Sequence, residues 1–239
     1  MQDLTYTSGD SFVKDLLSYQ DQRLRHQPNA ILGKRDGVFQ LSALTALRAL
    51  FPKFYNQTSR NDPFVLTLPD LHQSNIFVDD DWNVVSIIDF EFAPVQPQQM
   101  VGVPQWLSGK SVDELIGPDL DEYKLLYDQF VGVLREEEEA KQQSHSFSER
   151  LIEDWQSGKV WYNAALKSSN GFPIIFEQSL QPRYFPTFDP DADGVTLMRL
   201  WGEDSEEFIA GKLKDKAKYI ERIRAIFAEA EAAAQEKKE

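Results

Sequence analysis

The stretch that decides the fold runs from Leu68 to Ala93 and reads LPDLHQSNIFVDDDWNVVSIIDFEFA. Two runs rich in β-branched and aromatic residues, NIFV and VVSIIDF, stand on either side of the polar turn DDDWN. Runs of this composition around such a turn predict a β-hairpin. FVLTL, at positions 64–68, precedes them and has the same character. The sequence therefore predicts three short strands, the last two of which form a hairpin.

Helical patterns flank this β segment on both sides. Apolar residues recur every three to four positions in the segment before it and in most of the chain after it, and this spacing indicates amphipathic helices. The fold class predicted is mainly α with a small β insert (α+β). A single domain is expected over 1–239, with helices in 8–60, the β segment in 64–93, a helical part in 112–234 and a frayed tail in 235–239. The stretch APVQPQQMVGVP, at 93–104, is expected to be irregular.

The composition limits the classes of partner. Lys and Arg number 25 against 39 Asp and Glu, a net charge of -14, which repels nucleic acid and anionic membranes. It favours cationic small molecules or basic partners, unless the acids serve only to keep the protein in solution. The chain has no cysteine, so disulfides, thiolate zinc sites and cysteine nucleophiles are excluded. No apolar run is long enough to span a bilayer, and the N-terminus lacks the features of a secretory signal, so a cytoplasmic protein is expected. The oligomeric state is left open.

Three polar residues in the opening stretch have the spacing of a phosphoryl-transfer site. Asp70 precedes Asn75 by five positions, and Asp89 follows Asn75 by fourteen, at the end of an apolar strand. Two acids and an amide at the mouths of adjacent strands can converge on one point. One carboxylate can then orient the hydroxyl of a nucleophile, while an amide oxygen and the second carboxylate hold magnesium, which prefers oxygen ligands.

The same stretch resembles a known superfamily. D-x-x-x-x-N, then strand, turn, strand and I-D-F, is the order of the catalytic and metal loops in protein-kinase-like enzymes. The 26 residues from Leu68 to Ala93 are similar to the aminoglycoside phosphotransferase and choline kinase superfamily, and most similar to fungal proteins that carry that domain. The helices on either side agree in order with the C-terminal lobe of that superfamily.

The resemblance implies a role for each of the three residues. Asp70 matches the catalytic base, Asn75 a magnesium ligand, and Asp89 the magnesium-binding acid. Both Asn75 and Asp89 would then take part in binding the cofactors, ATP and Mg²⁺. The reaction implied is transfer of phosphate to a hydroxyl group of a small molecule, and the net charge favours a cationic one.

Two departures from the superfamily pattern bear on activity. Leu68 stands where the superfamily has a His, although His72 lies inside the loop and could bond locally. Only 69 residues precede Asp70, and they show two helical patterns instead of a nucleotide-binding sheet with a Gly-rich loop. The lysines in that part, Lys14, Lys34 and Lys53, do not lie in strand patterns.

These departures predict a C-terminal lobe whose N-terminal lobe is absent, through truncation or genuine loss. The chain on its own is then expected to be inactive, as a pseudokinase would be. Two function classes stay open: an ATP- and magnesium-dependent phosphotransferase, or a non-catalytic remnant that acts as a binding module.

Two further candidates are weaker. DPDADG, at 189–194, imitates the start of a calcium-binding loop, but Leu200 stands where such a loop needs a bidentate Glu. Trp155, Trp161 and Tyr162 could form an aromatic wall for a cationic substrate. Packing in the core is the commoner use of such residues.

Overall fold

The protein is described by a computed structural model, which covers residues 5–55, 62–144 and 146–236. Its helices are α1 Gly9–His26, α2 Lys34–Phe54, α3 Pro118–Ala140, α4 Ser146–Ser157, α5 Lys159–Lys167, α6 Phe172–Ile175, α7 Gln181–Tyr184, α8 Ala192–Trp201 and α9 Ser205–Glu236. Its strands are β1 Phe64–Leu66, β2 Ile76–Val78, β3 Val84–Ile87 and β4 Val95–Pro97. The predicted class, mainly α with a small β insert, is confirmed.

The predicted hairpin is present. β2 and β3 pair antiparallel, with Ile76 opposite Ile87. The Asp79 carboxylate organises the turn between them, because it accepts hydrogen bonds from the backbone N–H groups of Asp81 and Asn83 and from the Asn83 side chain. The bonds from Asn83 and Asp81 also lower the pKa of Asp79. The acidic run DDDWN thus closes a turn through local bonds, as Asp and Asn commonly do.

The prediction of an irregular stretch at 93–104 is wrong at its start. Residues 95–97 form β4, which pairs antiparallel with β1 and places Val65 opposite Gln96. A backbone bond of 2.9 Å from Thr67 N to the Pro94 carbonyl extends this ribbon. Proline is rare in paired strands because it has no N–H to donate, so the sequence VQP does not predict a strand. The ribbon joins the two ends of the segment that carries Asp70, Asn75 and Asp89.

The chain divides into two compact units. Unit 1 comprises residues 1–16 and 50–185, and unit 2 comprises 17–49 and 186–239. Both α1 and α2 contribute residues to both units. Because compactness does not decide whether a unit folds by itself, the single domain expected over 1–239 stays a prediction.

Unit 1 has an aromatic core. Tyr123, Tyr127, Tyr162, Phe172 and Phe176 are among its fully buried side chains. The hydroxyl of Tyr127 donates to the Leu151 carbonyl at 2.7 Å, which joins α3 to α4. Burial raises the pKa of Tyr123 and of Tyr162. These phenols therefore stay neutral and act as core residues.

Unit 2 is built from helices alone within its described residues. Apolar side chains of α1 and α2, such as Leu24 and Leu44, are fully buried together with Met198 of α8. The helix α8 lies within the helical part expected over 112–234, in which DPDADG was compared with the start of a calcium-binding loop. That motif is the start of the helix: the Asp189 carboxylate accepts from Asp191 N at 2.9 Å, and Asp193 accepts from Asp189 N at 2.9 Å.

The last helix of the part expected over 112–234 is α9, which continues to Glu236. The tail expected to fray over 235–239 lies partly outside the described residues. The part of the predicted helical segment 8–60 that follows Tyr55 also lies outside them. Within the described ranges, none of the helices is both long and apolar enough to cross a membrane.

Candidate functional site

Asp70 lies in the turn that follows β1 and is exposed to solvent. The turn is closed by a bond of 3.2 Å from Leu71 N to the Leu68 carbonyl. A short 3-10 helix, Gln73–Asn75, comes next and leads directly into β2. Since the Asp70 carboxylate belongs to an exposed turn at the entrance of the hairpin, it is accessible to a dissolved substrate.

Asn75 is the buried member of the three predicted residues, with 7% of its surface exposed. Its side-chain nitrogen donates to the Asp70 carbonyl at 3.5 Å, a long hydrogen bond. Its backbone carbonyl accepts from Ile88 N at 3.0 Å. With Nδ2 directed at Asp70, the amide oxygen is the atom that remains for a cation.

Asp89 follows the end of β3 and has a positive φ of 67°. Few residues other than glycine adopt this left-handed conformation, although Asp and Asn do so more readily than most. Its neighbour Ile88 bonds to Asn75. Asp89 is exposed. A non-glycine residue keeps such a strained conformation only where the surrounding structure offsets the strain. Residues of this kind cluster at functional sites.

Hydrogen bonds therefore link Asn75 to Asp70 and to the residue before Asp89. The Asn75 side chain bonds to Asp70, and the Asn75 carbonyl bonds to the residue before Asp89. The donor set fits magnesium, because one amide oxygen and one carboxylate are hard oxygen ligands that leave other positions for water and phosphate. Convergence of the three side chains, and the catalytic and metal roles, stay predictions.

The same region does not resemble a dedicated metal cage. Within 5–55, 62–144 and 146–236, no group of three or more His, Cys, Asp or Glu side chains is arranged to hold a metal ion. The predicted site offers only two carboxylates, Asp70 and Asp89. A cation there would need ligands from outside the protein, such as the phosphates of a nucleotide.

His72 bonds within the loop. The distance from its Nδ1 to the Ser74 hydroxyl is 2.7 Å, and its ring is exposed. The superfamily His is replaced by Leu68, which cannot make a hydrogen bond through its side chain. The local bond of His72 thus helps to shape the loop between Asp70 and Asn75.

Large apolar side chains are exposed around the loop. Val85 is 68% exposed, Phe92 60% and Phe90 53%. Trp82, at the tip of the hairpin, is 83% exposed. Several large apolar side chains exposed along one short segment are typical of a site that another surface covers.

The aromatic wall considered for a cationic substrate is part of the packing of unit 1. Trp155 contacts the rings of Tyr127, at 4.7 Å, and Trp161, at 5.5 Å between centroids. The ammonium group of Lys124 lies 5.0 Å from the ring of Trp155. Because a cation of the chain itself already lies on this ring, the wall carries no argument for a substrate site.

A buried polar network of unit 1 was missed by the sequence analysis. The Tyr55 hydroxyl donates to Asn163 Oδ1 at 2.6 Å, and Asn163 Nδ2 donates to the Gln99 carbonyl at 3.0 Å. Tyr55 and Asn163 are 108 positions apart, so no local signal connects them. The network satisfies buried polar groups, as a folded interior requires, and it involves none of the three predicted site residues.

The comparison with protein families agrees with this geometry. Residues 9–99 match the family described as Phosphotransferase enzyme family. The matched range contains the loop and the two helices before it. The match confirms the resemblance to the aminoglycoside phosphotransferase and kinase-like superfamily. Over residues 9–99 the chain is thus similar to phosphotransferases. No curated protein and no solved structure matches the chain.

The backbone at position 89 gives a test of stored strain. We expect Asp89→Val to lower the free energy of unfolding by about 1–2 kcal/mol, because a β-branched residue is poorly tolerated at positive φ. Asp89→Gly should leave it unchanged or raise it, since glycine adopts this conformation without strain. Urea unfolding followed by circular dichroism measures both. Equal losses in the two variants would mean that the carboxylate, and not the backbone, determines stability here.

Proposed function

We propose that residues 68–93 form the catalytic and metal loops of a kinase-type phosphotransferase that acts on an alcohol group. In this proposal Asp70 is the catalytic base, and Asn75 and Asp89 hold Mg²⁺ together with ATP. Magnesium would neutralise the phosphate charge as the phosphoryl group moves. The observation that carries the proposal is the pair of hydrogen bonds that tie Asn75 to Asp70 and to Ile88.

Each of the chain's own residues has a distinct part in this chemistry. Asp70 accepts the proton of the acceptor hydroxyl, and its exposure gives the acceptor access. Asn75 is fixed by burial and by its bonds, so it positions an oxygen ligand with little freedom. Asp89 supplies a negative charge beside it. The net charge of -14 favours an acceptor that carries positive charge.

We further propose that the chain alone does not turn over ATP. The described segments before the loop are the helices α1 and α2 and the short strand β1, which contains no lysine. Two lysines of the helices lie on aromatic rings: Lys14 over Phe51 at 5.4 Å and Lys53 over Tyr184 at 5.2 Å. Neither lysine is carried by a strand that could present it to a triphosphate. Positioning and charge neutralisation supply most of the rate in phosphoryl transfer. Without a group that aligns the phosphates, the base and the metal ligands are insufficient.

Binding of Mg²⁺ and ATP tests the metal ligands. We expect the intact chain to bind Mg²⁺ with ATP weakly, roughly in the millimolar range, because the protein offers two ligands and the nucleotide the rest. Asp89→Asn, which keeps a residue that tolerates positive φ, should abolish the calorimetric signal. Asp70→Asn should retain it, and Asp80→Asn, which removes an exposed charge in the hairpin turn, is the matched control. Binding that survives Asp89→Asn would contradict the assignment.

Consumption of ATP tests the rest of the proposal. The purified chain is expected to consume no ATP above background with amino alcohols, sugars or aminoglycosides. Turnover that disappears in Asp70→Asn would overturn the inactivity while supporting the role of Asp70.

The second candidate is a non-catalytic binding module, which the exposed Val85, Phe90 and Phe92 favour. Absence of any Mg²⁺ and ATP binding in the intact, folded chain would decide for this candidate.

A further inference from the structure

The second half of α9 extends beyond the packed part of unit 2. Between residues 217 and 231 every side chain is exposed except Ile223, which is half-buried. Tyr219, Ile220, Ile226 and Phe227 are exposed large apolar residues of this segment, and Phe227 is 64% exposed. A long helix that presents large apolar groups to water gains stability when another surface covers them.

These apolar residues follow a regular spacing. Ile220, Ile223, Phe227 and Ala230 succeed one another at intervals of three, four and three residues. That is the repeat that places apolar side chains along one seam of a helix and lets two helices pair over it. Single exposed apolar residues need no explanation, but a seam of this regularity does.

Charge is distributed unequally along the same segment. Residues 214–224 contain five basic side chains (Lys214, Lys216, Lys218, Arg222 and Arg224) and two acidic ones, a net of +3. Residues 225–231 contain two acidic side chains (Glu229 and Glu231) and no basic one, a net of -2. A parallel pair of such helices would place like charges together, whereas an antiparallel pair places the basic half of each beside the acidic half of the other.

We propose that α9 is a self-association surface, on which a second copy of this chain docks its own α9 in antiparallel orientation. Ile223 of one copy then lies opposite Phe227 of the other, and Ile220 opposite Ala230. The arrangement is isologous, as expected for a twofold dimer. Because the seam is short, the dimer forms reversibly and depends on concentration.

Sedimentation velocity of the full chain over a range of concentrations tests the association. The expected result is a shift from monomer to dimer with rising concentration. Phe227→Asp should weaken the dimer by at least about tenfold, because it places a charge in the centre of the seam. Ala225→Asp adds the same charge to the same helix away from the seam and should retain the dimer. A chain that stays monomeric at every concentration, or equal effects of the two variants, would overturn the proposal.

Cross-linking tests the antiparallel orientation of the two helices. Because the chain has no natural cysteine, disulfides can form only between the introduced ones. Ala217→Cys and Glu231→Cys are prepared as separate variants. In the antiparallel dimer, position 217 of one copy lies near 231 of the other, whereas the two copies of position 217 are roughly 24 Å apart. A disulfide should therefore form on mixing the two variants and not within either alone. Cross-linking of each variant with itself, and not of the mixture, would show a parallel pair and overturn the proposal.

Discussion

Asp21→Leu is expected to lower the free energy of unfolding by about 3 kcal/mol, as removal of one partner from a largely buried charge cluster does. The Asp21 carboxylate accepts from Arg25 Nε at 2.7 Å and from Trp201 Nε1 at 2.7 Å, and lies 3.1 Å from Arg48. The leucine leaves the indole N–H of Trp201 without an acceptor. The two arginines retain access to water, with 42% and 39% of their side chains exposed, which limits the loss.

Urea unfolding at neutral pH measures this loss, and Glu139→Leu is the matched control. Glu139 pairs with Arg135 at the same spacing of four residues on a helix, but both side chains are more than half exposed. Removing such a surface pair should cost at most about 0.5 kcal/mol. Equal losses in the two variants would mean that the Asp21 cluster adds no more than an exposed pair.

The pH dependence of Asp21 has a definite sign. Burial alone raises the pKa of Asp21, but the hydrogen bonds from Arg25 and Trp201 and the charges of the arginines outweigh it, so the pKa is lowered. The ionised carboxylate therefore stabilises the fold above its unfolded pKa of about 4, and this contribution is lost as the pH falls through the folded pKa. Asp21→Asn should show a smaller loss of stability on acidification than the natural chain.

Arg150→Met is expected to have an effect of similar size in unit 1, about 3 kcal/mol, because it leaves a buried carboxylate with less compensation. The Arg150 guanidinium donates to Asp154 at 3.0 Å and to the Val101 carbonyl at 3.0 Å. It also lies 4.7 Å from the ring of Phe147. Lys159 is the other cation near Asp154, at 4.0 Å.

A double variant separates the charge from the packing. Arg150→Met with Asp154→Leu removes both members of the pair and should recover most of the loss, since apolar replacements of a buried pair are often close to neutral. Equilibrium unfolding in urea of both single variants and the double variant gives the coupling. Additive losses would mean that the pair contributes through packing and not through charge.

The pH again distinguishes the mechanism. Burial raises the pKa of Asp154, while the nearby Lys159 and Arg150 lower it without cancelling the effect. The pKa of Asp154 in the folded state therefore lies above its pKa in the unfolded state. As the pH rises from below the unfolded pKa to above the folded one, ionisation of this carboxyl lowers the free energy of unfolding. Arg150→Met raises the folded pKa further. The deficit of the variant should therefore be larger at neutral pH than below about pH 4.

The local sequence pattern was sufficient to predict most helices, the hairpin and the loop. The β2–β3 hairpin follows from two β-rich runs around a turn, and the long helices follow from apolar spacing, because neighbouring residues determine both. The spacing of Asp70, Asn75 and Asp89 pointed to the phosphotransferase-like class, which the match over residues 9–99 confirms. The roles of these three residues stay predictions, because sequence spacing does not determine where side chains point.

The remaining features depend on contacts between residues that are distant in the chain. β4 is a strand because it pairs with β1, although its own sequence contains a proline and does not predict a strand. The DPDADG motif is an exception, because its bonds are local: the carboxylates of Asp189 and Asp193 accept from backbone N–H groups two and four positions away. Asp21 meets Trp201 across 180 positions, which no local pattern encodes. The helices, the β2–β3 hairpin and the loop could thus be predicted from the sequence, because neighbouring residues determine them. The β1–β4 pairing and the bond between Asp21 and Trp201 could not, because these partners meet only when the chain folds.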